Sequence, residues 1–243
     1  MLHIGVVCLM PELIDGLRYG VIGRALEQGI AKISCWNPRD WGIGRHKQVD
    51  DSPYGGGPGM VMRYEPVHQA LMHAKSVLTD DCKVIYMSPQ GRKPLQQEIS
   101  ALARNQQPLI FLAGRYEGID ERIIETHVDE EWSLGDFVIS GGELAAMVFI
   151  DAIVRLLPGS LHSDASAEQD SFMNGLLDWP HYTRPALIDD KPVPEVLLQG
   201  NHAMIDTWRR QQALLRTWQK RPDLLENVSL TQEEQKWLDV LKK

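Results

Sequence analysis

The chain has 243 residues, 43% hydrophobic and 24% charged. At roughly 150 residues per domain that is room for one medium domain and a small one, enough to bury a core without disulfide or metal staples, and it excludes general disorder. The formal net charge is −8, which taken alone argues against a nucleic-acid binder.

The N-terminus reads MLHIGVVCLMPELID, with no basic leader and with Pro11, Glu12 and Asp15 interrupting the apolar run. It reads as a buried strand over Ile4–Leu9 and not as a signal peptide. A helix is expected over Ile14–Gln28, ending at Gly29, then a strand over Ala31–Trp36. A third strand is expected over Lys83–Met87, a helix near Leu95–Arg104, a fourth strand over Leu109–Ala113 and a helix near Asp120–His127. A fifth strand, Phe137–Ile139, should run into an apolar helix over Leu144–Leu157. Repeated strand-then-helix order implies α/β architecture, a largely parallel sheet with helices on both faces. The apolar helix contains Asp151 and Arg155 and is too short to span a bilayer, so no membrane role is expected.

Pro158–Asp170 (PGSLHSDASAEQD) is small and polar and reads as a linker or mobile loop. Prolines then mark an irregular stretch, and two or three helices follow from about Asn201. The expected organisation is an α/β domain over 1–160, a flexible linker over 161–175 and a small all-helical domain over 176–243. Cys8, Cys35 and Cys82 are far apart in sequence and contain no CxxC. Reduced thiols in a cytoplasmic protein are expected, and a cysteine-built zinc site is excluded.

The common nucleotide and hydrolase signatures are missing. There is no G-x-G-x-x-G after the first strand, no Gly-Lys for a Walker A loop, no H-E-x-x-H and no G-x-S-x-G. What remains is glycine at strand ends. YMSPQGRKP (Tyr86–Pro94) follows the third strand, GRYEGID (Gly114–Asp120) the fourth, and LGDFVISGG (Leu134–Gly142) spans the fifth. Ligands bind beyond the carboxyl ends of strands in open parallel sheets, so three such loops read either as one pocket or as three tight turns that need glycine sterically. DDSPYGGGPGMVM (Asp50–Met62) is a further glycine loop, either a flexible surface turn or one that offers N–H groups to a ligand.

Ser140 and Glu143 fit a capping box at the start of the apolar helix. Asp151 and Arg155, at i and i+4, read either as a surface ion pair or as an arginine aimed into a pocket. Ten carboxylates lie between Glu117 and Asp151 against Arg115 and Arg122, usually a solvated face, though a few could hold Mg²⁺ through waters. On the helix before Pro222, Ile205, Trp208, Leu214, Leu215 and Trp218 occupy one half of the wheel. Arg209, Arg210, Arg216, Lys220 and Arg221 occupy the other, opposed on that helix only by Asp206. Such a stripe in an acidic chain reads either as a solvated face, which normally mixes both signs, or as a phosphate-backbone contact.

Taken together, CWNPRDW (Cys35–Trp41), VDDSPYGGGPGM (Val49–Met60), SPQGRK (Ser88–Lys93), GRYEGIDER (Gly114–Arg122), SLGDFVISGGEL (Ser133–Leu144), SAEQDSF (Ser166–Phe172) and LDWPHYTRP (Leu177–Pro185) resemble the bacterial tRNA (guanine-N1)-methyltransferases, over essentially the whole length. Gln169, Ala145 and Phe137 depart from the family pattern. The resemblance implies a trefoil-knotted (SPOUT) methyltransferase, with the knot late in the catalytic domain, acting as a homodimer with its site at the subunit interface. It implies methylation of N1 of the guanosine 3′ of the anticodon. S-adenosylmethionine would be held in a bent form by Tyr86, Met87, Ser88, Pro89, Gly114, Tyr116, Gly118, Leu134, Gly135, Asp136, Phe137, Val138, Ile139, Gly141 and Gly142. It implies Asp170 as the base, acting from the partner subunit, Arg155 as the partner of guanine O6, and Glu117 as the carboxylate linked to Mg²⁺. tRNA would meet His46, Lys47, Tyr54, Gly57 and Gly59, then His181, Arg184, Arg209, Arg210 and Arg216. The competing readings are a catalytically silent RNA-binding protein on the same scaffold and a nucleotide-hydrolysing α/β enzyme.

Overall fold

The computed structural model describes residues 1–79 and 81–241, so the last two residues of the expected C-terminal domain lie outside the described ones. The chain divides into two compact units, Met1–Asp164 and Ala165–Lys243.

In the first unit the strands are β1 (Leu2–Val7), β2 (Ala31–Trp36), β3 (Asp50–Asp51), β4 (Val61–Met62), β5 (Lys83–Arg92), β6 (Leu109–Ala113) and β7 (Glu130–Trp132). Five of them form one sheet in the order β2-β1-β6-β5-β7, with every pairing parallel. The helices are α1 (Pro11–Ile14), α2 (Gly20–Glu27), α3 (Tyr64–Leu78), α4 (Gln96–Asn105), α5 (Glu121–His127) and α6 (Glu143–Val154). Side chains alternate across a strand, so β5 sends Ile85 and Met87 to one face and Val84 and Tyr86 to the other. The first face joins Phe111, Trp132, Phe149 and Ile150 in a core beneath α1, α2, α4 and α6. The second joins Leu112, Val67, Leu71 and Ile123 beneath α3 and α5. With both faces covered, β6 reads LIFLA without polar alternation and is buried throughout.

Several sequence expectations are corrected. The helix expected over Ile14–Gln28 is broken into α1, a 3-10 turn (Asp15–Arg18) and α2, because Tyr19 is extended and Gly20 adopts φ +68. The third strand runs on to Arg92. Phe137–Ile139 is not a strand; the fifth strand of the sheet is β7, and its three residues, EEW, are too short and too acidic to stand out in an apolar pattern. The expected capping box is absent. Gly142 is the N-cap of α6, no side chain caps it, and Glu143 bonds elsewhere. Nor is α6 buried all round, since Leu144 and Val148 are half exposed. The polar segment before Asp170 contains a short helix, α7 (Asp164–Glu168).

The second unit carries a two-strand hairpin, β8 (Leu187–Ile188) with β9 (Lys191–Pro192), so it is not all-helical. Its long helix α8 (His202–Lys220) is capped by Asn201 and followed by a 3-10 turn (Pro222–Asn227) and α9 (Gln232–Leu241). Leu176, Ala213, Leu214 and Leu238 form its core, with Trp218 and Trp237 packed against them.

Candidate active site

Adjacent strands β6, β5 and β7 end side by side, and the loops that leave them enclose a cavity of about 320 Å³. That volume lies within the range of small-molecule sites. Its wall takes in Tyr86, Met87, Ser88 and Pro89 from β5, then Gly114, Tyr116, Glu117 and Gly118 after β6. Leu134, Gly135, Phe137, Val138, Ile139, Gly141 and Gly142, after β7, complete it. Asp136 stands outside; its carboxylate is exposed and paired with Lys93 at 2.8 Å. The sequence reading missed Gln90, Arg115, Glu131, Trp132 and Ser133, which also line the cavity. Arg115 and Glu131 sat in an acidic stretch read as a solvated face, and Trp132 carried no glycine signal.

Two glycines are required here by close approach. A Cβ at residue 142 would lie 2.8 Å from Ala113 Cα and 3.0 Å from Met87 Cβ. One at residue 114 would lie 2.9 Å from the Tyr86 hydroxyl. The backbone after β7 therefore runs directly against the ends of β5 and β6, and Gly142 N–H donates to Gly114 C=O at 2.8 Å. Burial pushes the Tyr86 phenol up to about 12, with Glu131 and Glu121 adding to the shift, so it is a neutral hydroxyl at physiological pH.

The glycine-rich segment is the tip of the β3–β4 hairpin. Tyr54 there is fully exposed, and Gly57 and Gly59 have φ +126 and +83. Three backbone hydrogen bonds stitch this hairpin to the loop after β6: Glu117 N–H to Met60 C=O, Met62 N–H to Gly118 C=O, and Asp120 N–H to Met62 C=O. Gly59 packs on the Glu117 side chain. His46 and Lys47 lie in an exposed turn closed by the Ile43–Gln48 bridge.

Arg155 is half-buried and closes α6, with its N–H donating to Asp151 C=O. Asp170 belongs to the second unit, in a cleft of about 230 Å³ with Gln169, Asn174, Asp178, Trp179 and Arg209. In that unit His181 pairs with Asp178 at 2.7 Å, and Arg184 is exposed. Arg209 sits 5.0 Å over the Trp179 ring. The basic stripe of α8 is less bare than its wheel suggests. Arg210 pairs with Glu234 of α9 at 2.7 Å, and Arg221 with Asp223 at 2.6 Å. Arg216 has no partner among the described residues.

The thiols also come together unexpectedly. Cys8, just past β1, neighbours Cys35 of β2, and this neighbour together with burial holds the Cys8 thiol well above its ordinary range. A separate cleft of about 570 Å³ beside β2 and α1 reaches Cys35 but none of the predicted site residues.

The family model described as tRNA (Guanine-1)-methyltransferase TrmD matches residues 2–227. The chain belongs to that family. Membership makes it an enzyme of the methyltransferase class. Curated relatives named tRNA (guanine-N(1)-)-methyltransferase include one from Legionella pneumophila strain Philadelphia 1, 65% identical over 98% of this chain and 95% of that protein. Those from Coxiella burnetii and Pseudoalteromonas translucida are each 58% identical, over 98% and 96% of this chain and 96% and 91% of theirs.

The cavity suits S-adenosylmethionine, the methyl donor that such a family implies. Glu117, Glu121 and Glu131 line it against the single cation Arg115, an excess of negative charge matched to a sulfonium and an ammonium. Its glycine-cleared backbone can approach a flat adenine and ribose closely. For Mg²⁺ there is no ready cage: among the described residues no group of three or more His, Cys, Asp or Glu converges. Among those residues, too, no helix is long and apolar enough to cross a membrane.

Proposed function

We propose that this chain methylates N1 of the guanosine 3′ of the anticodon in tRNA, with S-adenosylmethionine as donor. The observation that carries the reading is the convergence of three glycine-bearing loops on one acidic cavity in a chain whose relatives are named tRNA (guanine-N(1)-)-methyltransferase. Tyr86 to Pro89, the loop after β6 and the loop after β7 hold the donor, which supplies an electrophilic methyl group. Membership of the family supports a trefoil-knotted passage of this segment.

Guanine N1 carries a proton at neutral pH, so methylation needs a base. Asp170 takes that proton. Its removal builds negative charge on O6, and Arg155 stabilises it, a contribution of about 2.7–4 kcal/mol in oxyanion-type sites. The protein fixes N1 in line with the methyl carbon, which supplies much of the remaining rate. Asp170 is provided by the second subunit of a homodimer. In support, α6 exposes Leu144 and Val148, and the loop after β7 exposes Phe137 and Val138, apolar side chains that a second subunit would cover. Any Mg²⁺ would be held by Glu117 through its one carboxylate and waters.

tRNA is met by Tyr54 and the glycine hairpin of the first unit, with His46 and Lys47, and by His181, Arg184, Arg209, Arg210 and Arg216 of the second. An unstacked loop base read by aromatic and cationic groups is the usual mode for RNA. Thermal shift tests the reading. S-adenosylmethionine raises the melting temperature, by RT ln(1 + [L]/Kd) in free energy, and nucleoside triphosphates do not. Response to neither favours the silent RNA-binding alternative, and response to triphosphates alone favours a hydrolase.

A further inference from the structure

Glu143 is fully buried, the one carboxylate among the described residues with no exposed surface. A carboxylate at the first turn of an apolar helix would ordinarily cap the helix or reach water. This one does neither. Both its oxygens accept from Arg115 Nε, at 3.0 and 3.1 Å. Gly141 lies flat on the pair, for a Cβ there would sit 2.6 Å from Glu143 Oε2 and 2.8 Å from Arg115 Nε. The φ of Gly141 is not in the left-handed region, so this glycine answers to the ion pair beneath it. The pair thus ties the loop after β6 to the turn that opens α6, and both line the cavity.

Arg115 makes this bond with Nε alone. Its two Nη groups have no acceptor among the described residues. They are not orphaned in the interior either, since the one buried side-chain polar atom lacking a partner there is Ser160 Oγ. They therefore reach accessible space, and the cavity that Arg115 lines is such space. A buried ion pair is weak evidence of stability, because apolar residues of similar volume usually serve as well. It does fix the plane and reach of a guanidinium, a fork shaped for the oxygens of a carboxylate or phosphate.

We infer that Arg115 is an oxyanion-binding residue of the cavity and that Glu143 is its positioning residue. The oxyanion is either the carboxylate of the methyl donor or a phosphate of the tRNA. This inference rests on the function proposed above, and the experiment separates the two. Titration calorimetry is run with S-adenosylmethionine, with its decarboxylated analogue and with an anticodon stem-loop, on the full-length wild type, Arg115→Ala, Glu143→Gln and the double variant.

Arg115→Ala weakens one probe by about ten- to a hundredfold, the usual cost of a charge-assisted bond. Glu143→Gln weakens the same probe by roughly three- to tenfold but costs nothing further once Arg115 is alanine, because it acts through that side chain. Loss with S-adenosylmethionine and not with its decarboxylated analogue assigns the carboxylate. Loss with the stem-loop alone assigns the phosphate. Unchanged binding of all probes, a lowered melting temperature with intact affinities, or an equal loss from Glu143→Gln in both backgrounds overturns the inference. If Glu143→Gln does not fold, Glu143→Asp keeps the charge, shortens the reach and carries the same comparison. Wild type that binds neither donor nor stem-loop instead overturns the proposed function and leaves the ion pair a structural one.

Discussion

The cavity of the first unit and the basic helix of the second are built on opposite principles. The cavity is made by backbone. Gly114, Gly141 and Gly142 are small because a neighbour occupies the space where a side chain would be. The α8 face is made by long side chains. Its cations are shared between solvent and the acids of neighbouring segments, Glu234 and Asp223 among them. A backbone site is fixed when the sheet forms, whereas a side-chain site is as strong as its least neutralised charge. Substitutions in the first should therefore be severe and nearly all-or-none, and those in the second should be graded.

The largest effect is expected at the residues proposed for the chemistry. Asp170→Ala loses methyl transfer by about a hundredfold or more, the range of general-base catalysis, while keeping donor affinity. Arg155→Ala lowers the chemical step by roughly a hundred- to a thousandfold with a smaller effect on tRNA affinity. Single-turnover kinetics beside equilibrium binding measures both. Normal turnover of Asp170→Ala would remove it as the base.

Next comes the backbone cradle. Gly142→Ala places a methyl against Ala113 Cα, and overpacking of that kind costs about 1–3 kcal/mol. Lower melting temperature and loss of donor binding are expected together. Gly57→Ala, at φ +126 with open space around it, should spare donor binding. Equal behaviour of the two would mean that the cavity is not defined by close approach.

Smaller effects should sort the arginines of α8. Arg216→Ala is expected to weaken tRNA and flatten the salt dependence by about one unit of slope, the signature of one lost phosphate contact. Arg210→Ala should do less to the slope and more to local stability, because its partner Glu234 is left behind; that bond holds the Glu234 carboxyl below its usual range. Reversed ranking would break the distinction between neutralised and bare cations.

The smallest effect is a pH dependence of the sheet edge. Burial pushes the Glu130 carboxyl up, but bonds from Lys83, Trp132 and Arg92 outweigh it and hold it at about 2. A depressed carboxylate contributes stability that is full above its unfolded value, near 4.5, and is lost as pH falls toward 2. Acid denaturation of Glu130→Gln should show less dependence on pH in that window, and an unchanged acid limb would mean that the network contributes nothing.

Much of the cavity was legible because turn chemistry is local. Glycine at the ends of apolar runs marked all three loops, and β2 and β6 stand at the expected residues. Three-dimensional neighbours were not legible. The β7 strand is three residues held by its place beside β5. Glu143 looked like a cap because its true partner is 28 residues away. The α8 wheel could not see Glu234 on α9. Cys8 and Cys35 meet because β1 pairs with β2, which spacing along the chain does not encode.

The most direct test of the central claim is transfer of labelled methyl from S-adenosylmethionine to unmodified tRNA with G after the anticodon, beside its G→A variant. The account predicts label in the first and none in the second. Label in neither, with donor and tRNA both bound, would contradict it and leave an RNA-binding scaffold without the chemistry. Label in both would place the methyl on a different base.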